Sequence, residues 1–503
     1  MTEVLKAADT ALPGSLAATG IEGLDDILRG GLTPDRLYLV EGVPGSGKTT
    51  LALQFLLEGA RRGERVLCVT LSETEEELRA AARSHGWSLD GVHIHELTPP
   101  DDGLDGDEPY TMFHPSEVEL GHTTKLILSE VERIQPARVV FDSLSEVRLL
   151  SGTALRYRRQ ILSLKRYFAG RHCTVLLLDD LTAATRDLQV QSIAHGVILL
   201  EQMSPAYGAE RRRLRVIKYR GSSYRGGFHD FNIRSGGLEV YPRLVAAEHR
   251  QPAYGRRLPS GVAELDRLLG GGIEQGTSTL VLGAPGTGKS SLAAQFVVNA
   301  AAQGLHGAMF VFDESLQTLL TRTASMGADL APHIAAGRVT VKTVDPAELS
   351  PGELAHAIRR SVERDRAAIV VIDSLNGYMN AMPDERFLTI QLHELLSYLG
   401  QRSVATLLIA AQSGLIGSHM SSPVDATYLA DAAVLLRYFE AGGEVRQAIS
   451  VIKKRGGEHE RTIREFRLEA GGIRVGEPLS RFRGILTGVP AYEGASRELM
   501  ERP

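Results

Sequence analysis

Cysteine and tryptophan are scarce in this chain: two cysteines and one tryptophan among 503 residues. Cys68 and Cys173 sit in short apolar runs, "RVLCVT" and "HCTVLLL", with no metal-ligand spacing around them. A disulfide framework and a cysteine metal centre are therefore excluded, and buried thiols are expected. Long hydrophobic runs are also missing. No stretch approaches the roughly 18 apolar residues of a membrane span, and the opening "MTEVLKAADT" lacks the apolar segment of a secretory leader. No membrane partner and a cytoplasmic location are expected. A dominant charge is lacking too: 56 basic against 61 acidic residues leave a net charge of −5. That balance does not favour a nucleic-acid partner, which selects a basic surface. With 43% hydrophobic and 23% charged residues, the composition is that of an ordinary globular protein.

The chain repeats itself. "GIEGLDDILRGGL" from Gly20 returns as "GVAELDRLLGGGI" from Gly261, "GVPGSGKTT" from Gly42 as "GAPGTGKSS" from Gly283, and "LSET" from Leu71 as "FDES" from Phe312, each 241 residues on. "VVFDSL" and "VVIDSL" place Asp142 opposite Asp373, 231 apart, so the first copy carries about ten extra residues. The acidic loop "PPDDGLDGDEP" (Pro99 to Pro109) is the expected insertion. A unit this long is a duplicated domain rather than a solenoid repeat. The expected organisation is a first domain over 1–247, a linker over 248–257, a second domain over 258–485 and a tail over 486–503.

"RLYLVEG" and "STLVLG" read as buried strands, and each is followed by a glycine-rich turn and then by helical apolar spacing. Strands alternating with helices imply an α/β fold with a mostly parallel sheet, whose ligands bind beyond the carboxyl ends of the strands. The turns meet the pattern G-x-x-x-x-G-K-[ST] at Gly42, Gly47, Lys48, Thr49 and at Gly283, Gly288, Lys289, Ser290. Backbone N–H groups of Gly45, Ser46, Gly47 and Thr50, and of Gly286, Thr287, Gly288 and Ser291, can curl around phosphate, helped by the helix N-terminus. Lys48 and Lys289 reach the β- and γ-phosphates of ATP, and the Thr49 and Ser290 hydroxyls reach Mg²⁺. Asp142 and Asp373, at the ends of strand-type runs, are expected in the Mg²⁺ shell. After the next strand come Ser72–Glu73 and Asp313–Glu314. A carboxylate there can activate an attacking water or hydroxyl, and the same residues would serve equally well as helix caps. "HGW" at His85 to Trp87 is expected to pack, and "RRR" at Arg211 to Arg213 to form a solvated hairpin arm.

The two P-loops, the "VVFDSL" and "VVIDSL" strands, the paired segments "VIKYRG" and "VIKKRG", and "IREF" and "FRGILTGVP" near the end together resemble the KaiC family of tandem RecA-like ATPases. The resemblance spans roughly residues 15–490. It implies two RecA-like domains, a hexamer with ATP between neighbouring subunits, ATP hydrolysis in the first ring and Ser/Thr autokinase activity in the second. Under it, Lys218, Arg220, Lys453 and Arg455 match cations offered to a neighbour's γ-phosphate, where they would stabilise developing charge. The family shows two adjacent glutamates at Ser72–Glu73 and Asp313–Glu314, so the first copy keeps one acid and the second keeps two. The family's phosphorylated pair falls on Thr427–Tyr428, with a further site near Ser422; Tyr428 departs from the pattern. Gln412 stands where RecA-like folds place a γ-phosphate sensor, and Asp179–Asp180 ends the matching strand of the first copy.

Three readings follow. One is an ATPase with autokinase chemistry in the second domain, working with protein partners in signalling or clock-like regulation. Another is a DNA-dependent motor, for which no basic aromatic loop is evident. The third is a scaffold assembled by ATP with little turnover. The surroundings of the cradles favour phosphoryl transfer in the second half and ATP-dependent assembly with weak turnover in the first.

Overall fold

The computed structural model describes residues 16–97, 115–181, 188–205, 208–249, 255–380, 388–412, 428–486 and 490–492. The expected insertion at Pro99 to Pro109 and the candidate phosphosites Ser422 and Thr427 lie outside these residues. The chain divides into two compact units, Met1–Arg243 and Leu244–Pro503.

Each unit is built on a nine-stranded sheet. In the first, the strands in chain order are β1 (Leu37–Gly42), β2 (Val66–Thr70), β3 (His93–Glu96), β4 (Arg138–Asp142), β5 (Thr174–Asp180), β6 (Gly196–Met203), β7 (Arg211–Tyr219), β8 (His229–Arg234) and β9 (Gly237–Tyr241). They lie side by side as β3-β2-β4-β5-β1-β6-β7-β8-β9. Pairing is parallel from β3 to β6 and antiparallel from β6 to β9. The second sheet has the same order: Val339–Thr343, His306–Val311, Ala367–Asp373, Ala405–Ala411, Ser278–Gly283, Ala432–Ala441, Glu444–Lys454, Ile463–Glu469 and Gly472–Pro478. Its first six strands are again parallel. The expected mostly parallel sheets flanked by helices are present twice.

The central strands are buried on both faces, which is why they read as unbroken apolar runs. Side chains alternate between the faces. Leu37 and Leu39 join one core cluster and Tyr38 and Val40 the other. In the second unit Leu280 and Leu282 face one cluster and Val281 the opposite one. Each phosphate-loop helix, Lys48–Arg61 or Lys289–Ala302, buries its apolar side on one face and begins directly beyond the end of a central strand.

Cys68 in β2 and Cys173 just before β5 are buried free thiols. Trp87 packs against the core of the first unit, with its ring 4.9 Å from that of His85. Arg211 to Arg213 depart from the solvated arm expected of them. They lie within β7, paired with β6 and half-buried, and Arg213 bonds Glu201 at 2.8 Å and stacks on the Phe228 ring at 3.9 Å. The alternation "RRRLRVIKY" leaves each arginine a neighbour to cover its stem. Among the described residues, no helix is long and apolar enough to cross a membrane.

Candidate functional site

Each cradle forms where a central strand turns into its helix. Gly47 and Gly288 hold φ of 98° and 93°. A side chain there would be strained and would also meet Ile233 or Leu468 at 2.7 Å. The lysines fold back over the loop. Lys48 Nζ donates to the carbonyls of Gly42 and Val43 at 2.9 and 3.0 Å, and Lys289 Nζ to those of Gly283 and Ala284 at 3.0 and 2.8 Å. Burial lowers the Lys289 pKa, although nearby Asp373 works in the opposite direction.

Thr49 Oγ1 donates to Asp142 Oδ2 at 2.7 Å, and Ser290 hydrogen-bonds Asp373. Burial raises both aspartates, Asp373 to about 6. Asp373 Oδ2 is buried without a hydrogen-bond partner among the described residues. An unpaired carboxylate oxygen is costly to bury, and the hydroxyl–carboxylate set is the one a phosphate-bound Mg²⁺ takes in P-loop sites. The residues therefore fit such an ion, which Thr49 and Asp142, and Ser290 and Asp373, would hold.

Around this shared frame the halves differ. In the first, Asp180 Oδ1 lies 2.6 Å from Lys48 Nζ, and its other oxygen accepts from Ser143 at 3.2 Å and Ser145 at 3.0 Å. Burial would raise Asp180, but Lys48 and the two hydroxyls overcome it and hold it below the ordinary carboxylate range. Asp179 is paired with Arg148 at 2.5 Å. Glu73 is half-buried and raised by burial and by the charges of Asp142, Glu77 and Asp180. In the second half, a cavity of about 390 Å³ is lined by the loop glycines, Lys289, Asp313, Glu314, Arg322 and Asp373 among others. Ser374 Oγ donates to Asp313 Oδ2 at 2.5 Å. Glu314 is clamped by Arg322, whose Nη2 lies 2.5 Å away. Arg322 Nη1 also donates to Ser291 Oγ at 2.9 Å.

Strand register corrects one sequence alignment. Gly42 pairs with Asp180 and Gly283 with Ala411, so Ala411 is the counterpart of Asp180. Leu181, whose N–H reaches the Gly42 carbonyl at 3.3 Å, is the counterpart of Gln412, whose N–H reaches that of Gly283 at 3.1 Å. Gln412 Oε1 is buried and unpaired among the described residues.

Lys218, Arg220, Lys453 and Arg455 are not brought to the cradle of their own half. Lys218 pairs with Val197, which itself pairs with Leu39, three residues before the cradle strand ends at Gly42. At about 3.3 Å per residue that is roughly 10 Å along the sheet. Lys218 and Arg220 donate instead to the Ser192 carbonyl, Lys453 to that of Ala430 and Arg455 to that of Tyr428. Sequence reasoning missed Arg322, and it noted Asp179–Asp180 without the pairing of Asp180 with Lys48. The available signals were a lone cation in an otherwise uncharged helix, "LQTLLTRTAS", and an acid ending a buried strand.

A tandem P-loop ATPase is the class these two cradles define. A family model described as "ATPase: KaiC" matches residues 17–245 and 258–480, and the chain belongs to that family. It is similar to the circadian clock protein KaiC3 of Synechocystis sp., 28% identical over 488 residues, covering 95% of each chain. It is also 29% identical to the circadian clock oscillator protein KaiC of Synechococcus elongatus, covering 94% of this chain and 91% of the relative. The KaiC of Parasynechococcus marenigrum is 27% identical, covering 94% and 92%.

Proposed function

We propose that this KaiC-family ATPase binds Mg-ATP in both halves, assembles as a ring, and transfers a phosphoryl group to its own serine or threonine in the second half. The supporting observation is the second cradle. Lys289, the Ser290–Asp373 pair and the exposed Asp313 carboxylate face one cavity, which brings phosphate, metal and acid within reach of one another. Thr427 and Ser422 are the proposed acceptors. In the transfer, the acceptor hydroxyl oxygen bonds to the terminal phosphorus, the bond to the bridging oxygen breaks, and ADP departs. The hydroxyl proton passes to Asp313.

The first half holds ATP for assembly and hydrolyses it slowly, with Glu73 as its remaining acid. Because Lys218, Arg220, Lys453 and Arg455 lie away from their own cradles, they act on those of a neighbouring copy in a hexamer. The departures at Ser72 and Tyr428 point to signalling with protein partners in the cytoplasm rather than to a clock.

The test is incubation of the assembled protein with γ-labelled ATP and Mg²⁺, followed by mass-spectrometric site mapping. Label on Thr427 or Ser422, lost in Lys289→Ala, is expected. ATP-dependent assembly with phosphate release and no label would overturn the kinase reading and leave the ATPase.

A further inference from the structure

The strongest local difference between the halves lies on the helix after the acid pair. In the second half, Glu314 immediately precedes the Leu316–Ser325 helix, capped by Ser315, and Arg322 projects back toward it. Arg322 Nη2 and Nε reach the two Glu314 oxygens at 2.5 and 3.3 Å, while Nη1 reaches Ser291 Oγ at 2.9 Å. Ser291 in turn meets Met326 Sδ at 3.2 Å. The guanidinium is thus fixed at three points, about a quarter exposed, on the wall of the phosphate cavity. A carboxylate held at both oxygens by one planar fork has one lone pair of each oxygen committed and its orientation fixed, so it does not turn toward a substrate proton. In the first half, the same position of the Glu75–Ser84 helix is Ala81, which is exposed. No described side chain hydrogen-bonds the Glu73 carboxylate, the counterpart of Glu314.

We propose that Arg322 is a positioning residue: it withdraws Glu314 from phosphoryl chemistry and leaves Asp313 as the acid of the second cradle, whereas alanine at position 81 leaves Glu73 available in the first. The halves then use different members of the acid pair, the first member in the second half and the second member in the first. This rests on the proposed turnover of ATP at both cradles. At the first cradle a water oxygen bonds to the terminal phosphorus, the bond to the bridging oxygen breaks, ADP leaves, and the water proton passes to Glu73.

The experiment moves the arginine. In full-length protein carrying Lys289→Ala, which silences the second cradle, phosphate release reports the first. Ala81→Arg is expected to clamp Glu73 and cut kcat about tenfold with KM for ATP within about twofold. Ala81→Gln, of similar length and without charge, leaves kcat unchanged. Position 81 is an exposed helical site where either residue folds well. Equal effects of arginine and glutamine, or none from arginine, would overturn the proposal. Absence of phosphate release in the Lys289→Ala parent would instead sink the hydrolytic reading of the first cradle, and the catalytic half of this inference with it. In an otherwise unaltered chain, carbodiimide labelling of carboxyls read by peptide mass spectrometry gives a second arm. Glu314 is expected to be protected and Glu73 labelled; Arg322→Ala unmasks Glu314, and Ala81→Arg masks Glu73. A labelling pattern that ignores both substitutions contradicts the proposed pairing whatever the turnover.

Discussion

In the first cradle Lys48 is met by the carboxylate of Asp180 at 2.6 Å; in the second, the matching strand position is Ala411, and Lys289 Nζ donates to the Gly283 and Ala284 carbonyls with the Asp373 charge nearby. The reverse holds on the other wall. The second cradle adds a cation, Arg322, where the first has Ala81. Beside the shared lysine, hydroxyl and aspartate, the first half therefore carries Lys48–Asp180 and Arg148–Asp179, and the second carries Arg322–Glu314. Duplication preserved the geometry that holds a nucleotide and let the compensating charges drift. The lesson is that equivalence of P-loops says little about equivalence of chemistry, which is set by the residues that satisfy their partners.

The coarsest way to break the comparison is to remove each lysine. Lys48→Ala and Lys289→Ala should each weaken nucleotide binding in their own half by roughly 100-fold, the worth of one or two charge-assisted hydrogen bonds. Equilibrium dialysis should then count one bound nucleotide per chain instead of two. Loss of both nucleotides in either single variant would mean that the sites are not separable. The next effect concerns the acids. Asp313→Asn should reduce label transfer to the chain by about 100-fold or more, in the range of a lost general base, while Glu314→Gln changes it less than about threefold. Equal losses would show that both acids of the pair take part.

Much of this was legible in the sequence. Gly42 to Thr50 and Gly283 to Ser291 announced the cradles, because a glycine-rich turn between an apolar strand and a helix has few other uses. Asp142 and Asp373 could be read because they end continuous apolar runs. The mostly parallel sheets flanked by helices followed from the same alternation. What could not be read are contacts set by register and by distant pairing. Asp179 and Asp180 look interchangeable in "LLLDD", yet alternation along the strand sends one to Arg148 and the other to Lys48. Arg322 looks like an ordinary helix surface cation until the helix is folded back onto Glu314. The arginines of β7 look solvated until β6 and Phe228 cover them.

The cores repeat the contrast away from the sites. Arg138 begins β4 only 1% exposed, donating to the carbonyls of Ala18 and Phe55 at 2.7 and 2.9 Å and pairing with Glu64 at 2.5 Å. Its guanidinium lies 4.6 Å from the Phe55 ring, and Gly59 leaves it room, since a Cβ there would meet Arg138 Cδ at 2.6 Å. The second half solves the same corner with Ile369, Ala300 and Leu305 around Phe296. Arg138→Ala should cost the first half about 3–5 kcal/mol, because it strands Glu64 and two carbonyls. The urea midpoint followed by Trp87, the sole tryptophan, packed against the first-half core, measures this. Importing the other solution, Gly59→Ala with Glu64→Leu and Arg138→Ile, should recover most of the loss. Failure to recover would mean that the two corners are not interchangeable.

Acid should separate the halves by a smaller margin. His229, buried at the start of β8, accepts from the Arg243 N–H through Nδ1 at 2.8 Å and donates to the Arg225 carbonyl through Nε2 at 2.9 Å. Both ring nitrogens are used by the neutral form. Burial, reinforced by the charges of Arg225 and Arg243 and opposed by that Arg225 bond and by Asp26, lowers its pKa to about 4. The unfolded chain takes up a proton near 6.5, which the folded one refuses until about 4. Stability of the first half is therefore full above 6.5 and falls as pH drops through that window, by up to about 3 kcal/mol. The matching residue of the second half is Arg464, paired with Glu460 at 2.8 Å. Trp87 should thus report a midpoint that falls between pH 6.5 and 4.5, and His229→Gln, which can still bond the Arg225 carbonyl and the Arg243 N–H, should flatten that slope. An unchanged slope in the variant would place the acid sensitivity elsewhere, and with it this part of the difference between the halves.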